Sequence, residues 1–173
     1  MKKVVILILF LGLSCKFAER ELYILPKGFI GNVLIVCNTK NGSEKVYDQY
    51  GRRYYLIPTS GILLSRFQDT YGVINKKFIY RNKDKTLSEL KGIYFRDSIQ
   101  SLDTGRVYAF YGNDATITFP QSKDSVGIQF ISVCKPRDLV HFMNQKFVKR
   151  ILGMQFSPED VNYKRLLDLK KNP

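Results

Sequence analysis

Between residues 22 and 135, short apolar runs alternate with glycine, proline and asparagine positions, a spacing that belongs to strands separated by turns. Residues 30–37 are apolar on both faces from Val33 onward, which predicts a central strand packed from two sides. Asn41-Gly42 predicts a type I′ hairpin turn into a strand at 44–47. Tyr50-Gly51 predicts a second turn, into a strand at 53–58 that Pro58 and Gly61 close before another at 62–64. Residues 106–111 and 114–119 flank Gly112-Asn113, a two-residue loop suited to a hairpin, and Ala115, Ile117 and Phe119 alternate with Thr116 and Thr118. A further strand is expected at 126–134, with Val126, Ile128 and Phe130 on one side. Thr86-Leu-Ser-Glu89 has the form of a capping box, and Gly92 stands where it would end one small helix.

The period changes after Cys134. Pro136 opens a predicted helix in which Val140, Met143, Phe147, Ile151 and Met154 recur at spacings of three and four. Ser157-Pro158-Glu159-Asp160 caps a second helix, with Leu166 and Leu167 on its apolar side. The expected fold is therefore mainly β: an antiparallel β-sandwich or partly closed barrel of about eight short strands, with two C-terminal helices. The helices are expected to pack on a sheet face or edge, or to form a partner-binding appendage.

The first residues carry a different signal. Lys2 and Lys3 precede eleven uncharged residues, 4–14, the length of a signal-peptide core and well short of the ~20 a membrane-spanning helix needs. Leu11-Gly12-Leu13-Ser14-Cys15 resembles the lipobox of bacterial lipoproteins, with Gly12 standing where that box usually has a branched aliphatic residue. The resemblance implies removal of 1–14, acylation of Cys15, a tether at 15–21 and attachment to the cell envelope. Lys16 in place of a retention aspartate implies the outer membrane of a Gram-negative bacterium. The sandwich is then expected at 22–135 and the helical segment at 136–173.

Two further motifs carry a second resemblance. Tyr23-Ile-Leu-Pro26-Lys-Gly28-Phe29-Ile-Gly31, and later Ile57-Pro58-Thr-Ser-Gly61-Ile-Leu-Leu64, are similar to the signatures of an uncharacterised family of secreted and lipoprotein domains. With the aromatic strand Lys77-Phe-Ile-Tyr-Arg81, the resemblance spans roughly residues 22–100. It implies a small transthyretin-like sandwich and brings no activity with it.

Composition narrows the chemistry. With 28 Lys+Arg against 15 Asp+Glu in 173 residues, the formal charge is +13, which favours anionic partners. Only Lys2 and Lys3 lie in the leader, so the basic character belongs to the domain. The single histidine, His141, excludes multi-histidine metal sites, and no nucleophile elbow, calcium loop or nucleotide fingerprint is present. His141 flanks the apolar stripe of the first C-terminal helix and reads as a rim or solvent-facing residue. Asp48, Asp69, Asp97, Asp103 and Asp114 sit near strand ends, where acids form turns; a hydrolase of envelope polymers would need two of them to converge. Cys37 and Cys134 each end a strong strand, leaving a disulfide or two buried free thiols open.

Lys76, Lys77, Phe78, Tyr80, Arg81, Lys83 and Lys85 interleave cations with aromatics, and this segment, 76–85, is the expected binding edge. No catalytic residue, metal or cofactor is assigned. The expected role is a membrane-anchored binding or structural module for a protein, a glycan or another envelope component. The alternatives are a carboxylate-based hydrolase and an inhibitor or immunity-type lipoprotein with one protein partner. Export disfavours nucleic acid as the ligand.

Overall fold

The computed structural model describes residues 19–70, 75–95, 97–112, 114–118 and 125–143. Among these residues, ten strands form two sheets. The first has the order β3-β1-β5-β6, built from Arg53–Leu56, Glu21–Pro26, Lys76–Arg81 and Leu87–Leu90. The second has the order β4-β2-β10-β8-β7, built from Ile62–Leu64, Gly31–Val36, Ser125–Cys134, Tyr108–Tyr111 and Gly92–Tyr94; β9, Ala115–Thr118, also pairs with β10. The core lies between them: Tyr23, Leu25, Tyr55, Ile57, Phe78 and Leu90 from one sheet meet Val33, Ile35, Ala109, Ile131 and Val133 from the other. At its centre the Tyr23 ring stacks between Tyr55 and Phe78, with centroids 5.1 and 4.8 Å away.

The mainly β reading and the doubly buried central strand hold, but the sheets are mixed where antiparallel pairing was expected. β1 runs parallel to both β3 and β5, and β2 parallel to β4. The reason is that the first five strands alternate between sheets. Each turn carries the chain across the sandwich instead of back along the same sheet, so strands two apart in sequence become parallel neighbours. The Pro26-Lys-Gly28 turn is one such crossing, with Gly28 at φ 68° and Gly31 at φ 140°. The stretches joining β3 to β4 and β6 to β7 link the end strands of the two sheets, one pair on each flank of the sandwich.

Three local expectations give way to long-range pairing. Gly112-Asn113 makes no hairpin: β8 and β9 lie end to end along one side of β10, with Tyr111 opposite Ile131 and Ala115 opposite Ile128. The register thus advances four residues from Tyr111 to Ala115 against three along β10, and Gly112 takes φ 110° at that step. β9 pairs antiparallel with β10, the strand that follows it, with Thr118 opposite Ser125.

The capping box makes no helix. Thr86 accepts from Asn82 Nδ2 (2.8 Å) and donates to Asp84 (2.7 Å) inside a tight turn, after which Leu87–Leu90 pairs with β5 and Gly92 starts β7. A four-residue cap signal is a weak local preference, and pairing with a neighbouring strand overrides it. The expected strand at 44–47 is reduced to isolated bridges, Ser43 to Ser65 and Tyr47 to Arg53.

Pro136–Asp138 forms a 3-10 turn that leads into helix α1, Leu139–Met143. Leu139 packs with Ile93, Tyr108, Phe110 and Cys134 on the outer face of the second sheet, and Asn32 Nδ2 donates to Phe142 O at 3.0 Å. The rest of that predicted helix, from Phe147 on, and the whole of the second lie outside the described residues.

Candidate functional site

Because β1, β3 and β5 are parallel, their C-terminal ends stop at one level, and the loops leaving them surround a cleft of about 860 Å³. Pro26 and Pro58 lack an N–H and cannot continue a strand ladder; β1 ends at Pro26, and β3 stops at Leu56, two residues short of Pro58. Ile57 N still donates to Ile24 O at 2.9 Å, which sets Leu25-Pro26 beside Ile57-Pro58. Leu25, Ile57 and the exposed Leu56 give the cleft its apolar walls. The two sequence motifs, far apart in the chain, meet here.

The polar lining of the cleft is almost entirely cationic: Lys27, Arg81, Lys83 and Lys85, joined by Thr59 and Asn82, with no carboxylate among the lining residues. Arg81 ends β5, and the three lysines stand on the turns that follow β1 and β5. Lys85 adopts φ 67°, closing its turn through Lys85 N to Asn82 O at 3.0 Å. Tyr80 braces the same end by donating to Phe29 O at 2.9 Å, and burial pushes its phenol up to about 12.

The strand's two-residue period therefore divides the expected binding edge. Arg81 and Lys83 reach the cleft; Lys77 lies on the outer face, 3.9 Å from Glu89. Phe78 is buried in the core and Tyr80 half-buried, while Lys76 points inward at the opposite end of the strand. Lys85, at the end of the basic segment 76–85, lines the cleft as well. Lys27 was not singled out in the sequence; its signal was the Pro-Lys-Gly turn, which only strand order brings beside the lysine-rich turn at 83–85.

Lys76 belongs to a buried polar network at the N-terminal ends of β1, β3 and β5. Its ammonium lies 2.9 Å from Asp114 and 3.8 Å from Glu21, a carboxylate with no exposed surface. Glu21 Oε1 accepts from Thr70 Oγ1 (3.1 Å) and Gln129 Nε2 (3.3 Å), and Glu21 Oε2 accepts from the Tyr23 hydroxyl. Burial, then the Glu21 charge, raise the Tyr23 phenol far above its ordinary value, so it stays a donor. Arg53, next to Glu21 in register, binds Glu19 and the Gln68 carbonyl. Every charge here has a partner, as burial requires.

The remaining strand-end acids form turns. Asp48 accepts from Tyr50 N and Arg52 N, Asp103 from Gly105 N, and Asp97 from Tyr94 N. Asp69 accepts from Thr70 N and from Thr116 Oγ1. His141 is exposed on α1. Among the described residues no three histidine, cysteine or acidic side chains group as a metal site. No helix there is long and apolar enough to cross a membrane.

Of the two states open to the cysteines, the structure has free, buried thiols. Cys37 N bonds Gly127 O, and Cys134 lies seven residues further along the same β10, about 23 Å at the strand rise, far beyond disulfide reach. Burial above all raises Cys37, and burial followed by Asp138 pushes Cys134 up to about 12. Native protein near neutral pH is thus expected to resist maleimide at both positions. Once unfolded without reductant it should label fully at both, and incomplete labelling of that unreduced chain would reveal a bridge.

Residues 18–128 match the model of a family of unknown function (DUF6843). No curated protein matches the chain. Among solved structures the chain is similar to a crystal structure described as “Putative Lipoprotein from Bacillus anthracis”, at 13% identity and a TM-score of 0.49, over 89% of this chain and 94% of that one.

Proposed function

For a chain that belongs to the DUF6843 family of unknown function, we propose the role of an envelope lipoprotein whose basic cleft binds an anionic group carried on an apolar body. The observation that carries this reading is the cleft itself, with Leu25, Leu56 and Ile57 beside four cations and no acid. Apolar walls with a few converging polar groups are the usual form of a small-molecule site, and four lining cations with no lining carboxylate select the sign of the ligand. The family match begins at residue 18, just behind Cys15, which agrees with a removable leader ahead of the domain. Strand-end acids engaged in turns and a buried, fully paired network support binding over hydrolysis.

Three probes test the cleft. Dodecyl phosphate is expected to bind with Kd on the order of micromolar, dodecyl maltoside at least about tenfold more weakly, and inorganic phosphate only at millimolar levels. Raising the salt should weaken the first, since the cations are solvent-exposed. Replacing Arg81, Lys83 and Lys85 together by alanine should cost about tenfold or more for dodecyl phosphate, with the thermal midpoint nearly unchanged. Equal affinity of the triple variant, or equal affinity for the phosphate and the maltoside, would refute the reading.

A further inference from the structure

The chain enters the sandwich at the end opposite the cleft. Cys15 precedes the N-terminal end of β1, whereas the cleft surrounds its C-terminal end. Chain ordered by the domain starts no later than Glu19, which pairs with Arg53, and Arg20 O accepts from Arg53 N at 2.9 Å. Four residue steps from Cys15 to Glu19 span at most about 14 Å. From Glu19 to Pro26 along the extended strand is about 23 Å. A fully stretched tether is therefore about 9 Å too short to stand the sandwich upside down, with the cleft facing straight down at the bilayer that holds Cys15.

What the same end presents is a braced aromatic loop. Since β3 is parallel to β1, with Arg53 opposite Glu21, the loop entering β3 lies at the anchor end. It exposes Val46, Tyr47 and Tyr50, at 49%, 48% and 68%. Asp48 holds its shape by accepting from Tyr50 N and Arg52 N, both at 2.9 Å, and from Arg52 Nε at 2.6 Å. The Arg52 guanidinium lies over the Tyr50 ring, 5.0 Å from its centre, and Tyr47 rests edge-on against Phe67. Tyrosines with a polar tip, backed by a cation, suit the headgroup level of a bilayer.

We propose that acylation of Cys15 seats the Val46–Tyr47–Tyr50 loop on the membrane surface and turns the basic cleft away from it. This rests on the lipoprotein reading above. It deepens that reading by one step: the cleft takes its ligand from the aqueous side or from an opposing surface, and not from the leaflet that holds the anchor.

The chain has no tryptophan, so single reporters can be placed without background. Tyr50→Trp marks the loop and Thr59→Trp the cleft; both positions are exposed, so folding should survive. Each full-length variant is extracted from the membrane fraction of its native cells, its intact mass is measured, and it is reconstituted into phosphatidylcholine vesicles with brominated acyl chains. The expected result is an acylated mass, a roughly twofold loss of indole emission from the loop variant and an unchanged signal from the cleft variant. An acylated mass with the loop reporter unquenched, or with the cleft reporter quenched as strongly, overturns the orientation while leaving the anchor. An unacylated mass overturns the anchor, and the orientation with it.

Discussion

Lys76→Met is expected to lower the unfolding free energy by about 3–5 kcal/mol, because it strands a buried carboxylate without its cation. Glu21 has no exposed surface and keeps only hydroxyl and amide donors once the ammonium is gone. The lysine is also enclosed by aromatic rings, with Nζ 5.8 Å from the centre of Tyr23 and 5.7 Å from that of Tyr111. Methionine fills nearly the same volume, so the loss reports charge and not a cavity. Adding Glu21→Gln to the same chain should recover a good part of it, since the second substitution removes the stranded charge. Urea denaturation of the parent chain and both variants measures both terms. A single-variant loss under about 1 kcal/mol would mean that water reaches the network and that it is a surface ion pair.

Phe78→Ala, two residues along the same strand, is expected to cost a similar amount, about 3–5 kcal/mol, by a different route. Its ring stacks on Tyr23 and tilts against Tyr111 at 5.6 Å, and it is 1% exposed. Truncation opens a hole in the layer between the sheets, where neither neighbour can collapse without leaving its own partners. For a chain of this size that corresponds to a fall in Tm of roughly 6–20 °C. Arg81→Ala, three residues further on, should change Tm by no more than about 2 °C. Calorimetry of the pair decides the point, and equal midpoints would show that β5 does not present its residues to core and solvent in alternation. Read from sequence, 76–85 is one basic and aromatic edge. In the fold it supplies a network residue, a core ring and three cleft cations.

That division shows where the legibility of the sequence ended. Strand positions were largely visible, because alternation and turn residues act over a few neighbours: residues 30–37, 53–58 and 62–64 contain the strands read there, and 126–134 falls within β10. Gly28 and Gly31 of the first motif take φ values that only glycine adopts at ease. The failures at Gly112-Asn113 and Thr86-Leu-Ser-Glu89 have the opposite cause. Each motif is a local preference worth about 1 kcal/mol, and each met a partner strand offering a ladder of bonds and buried side chains. Lys76 was legible as a charge but not as a buried one, because its partners Glu21 and Asp114 lie 55 and 38 residues away.

The amino-acid sequence by itself determined that this is a strand-rich, basic chain that follows an uncharged run at residues 4–14, for those properties are sums over local composition and period. It also determined which residues cannot continue a strand, Pro26 and Pro58 among them. Whether a turn returns the chain to its own sheet or sends it across to the other is not a local property. It depends on which face has apolar surface left to cover, and that is decided only when both sheets are present. From that choice follow the parallel order of β3, β1 and β5, the common level of their ends, and the meeting of Lys27, Arg81, Lys83 and Lys85 around one apolar cleft.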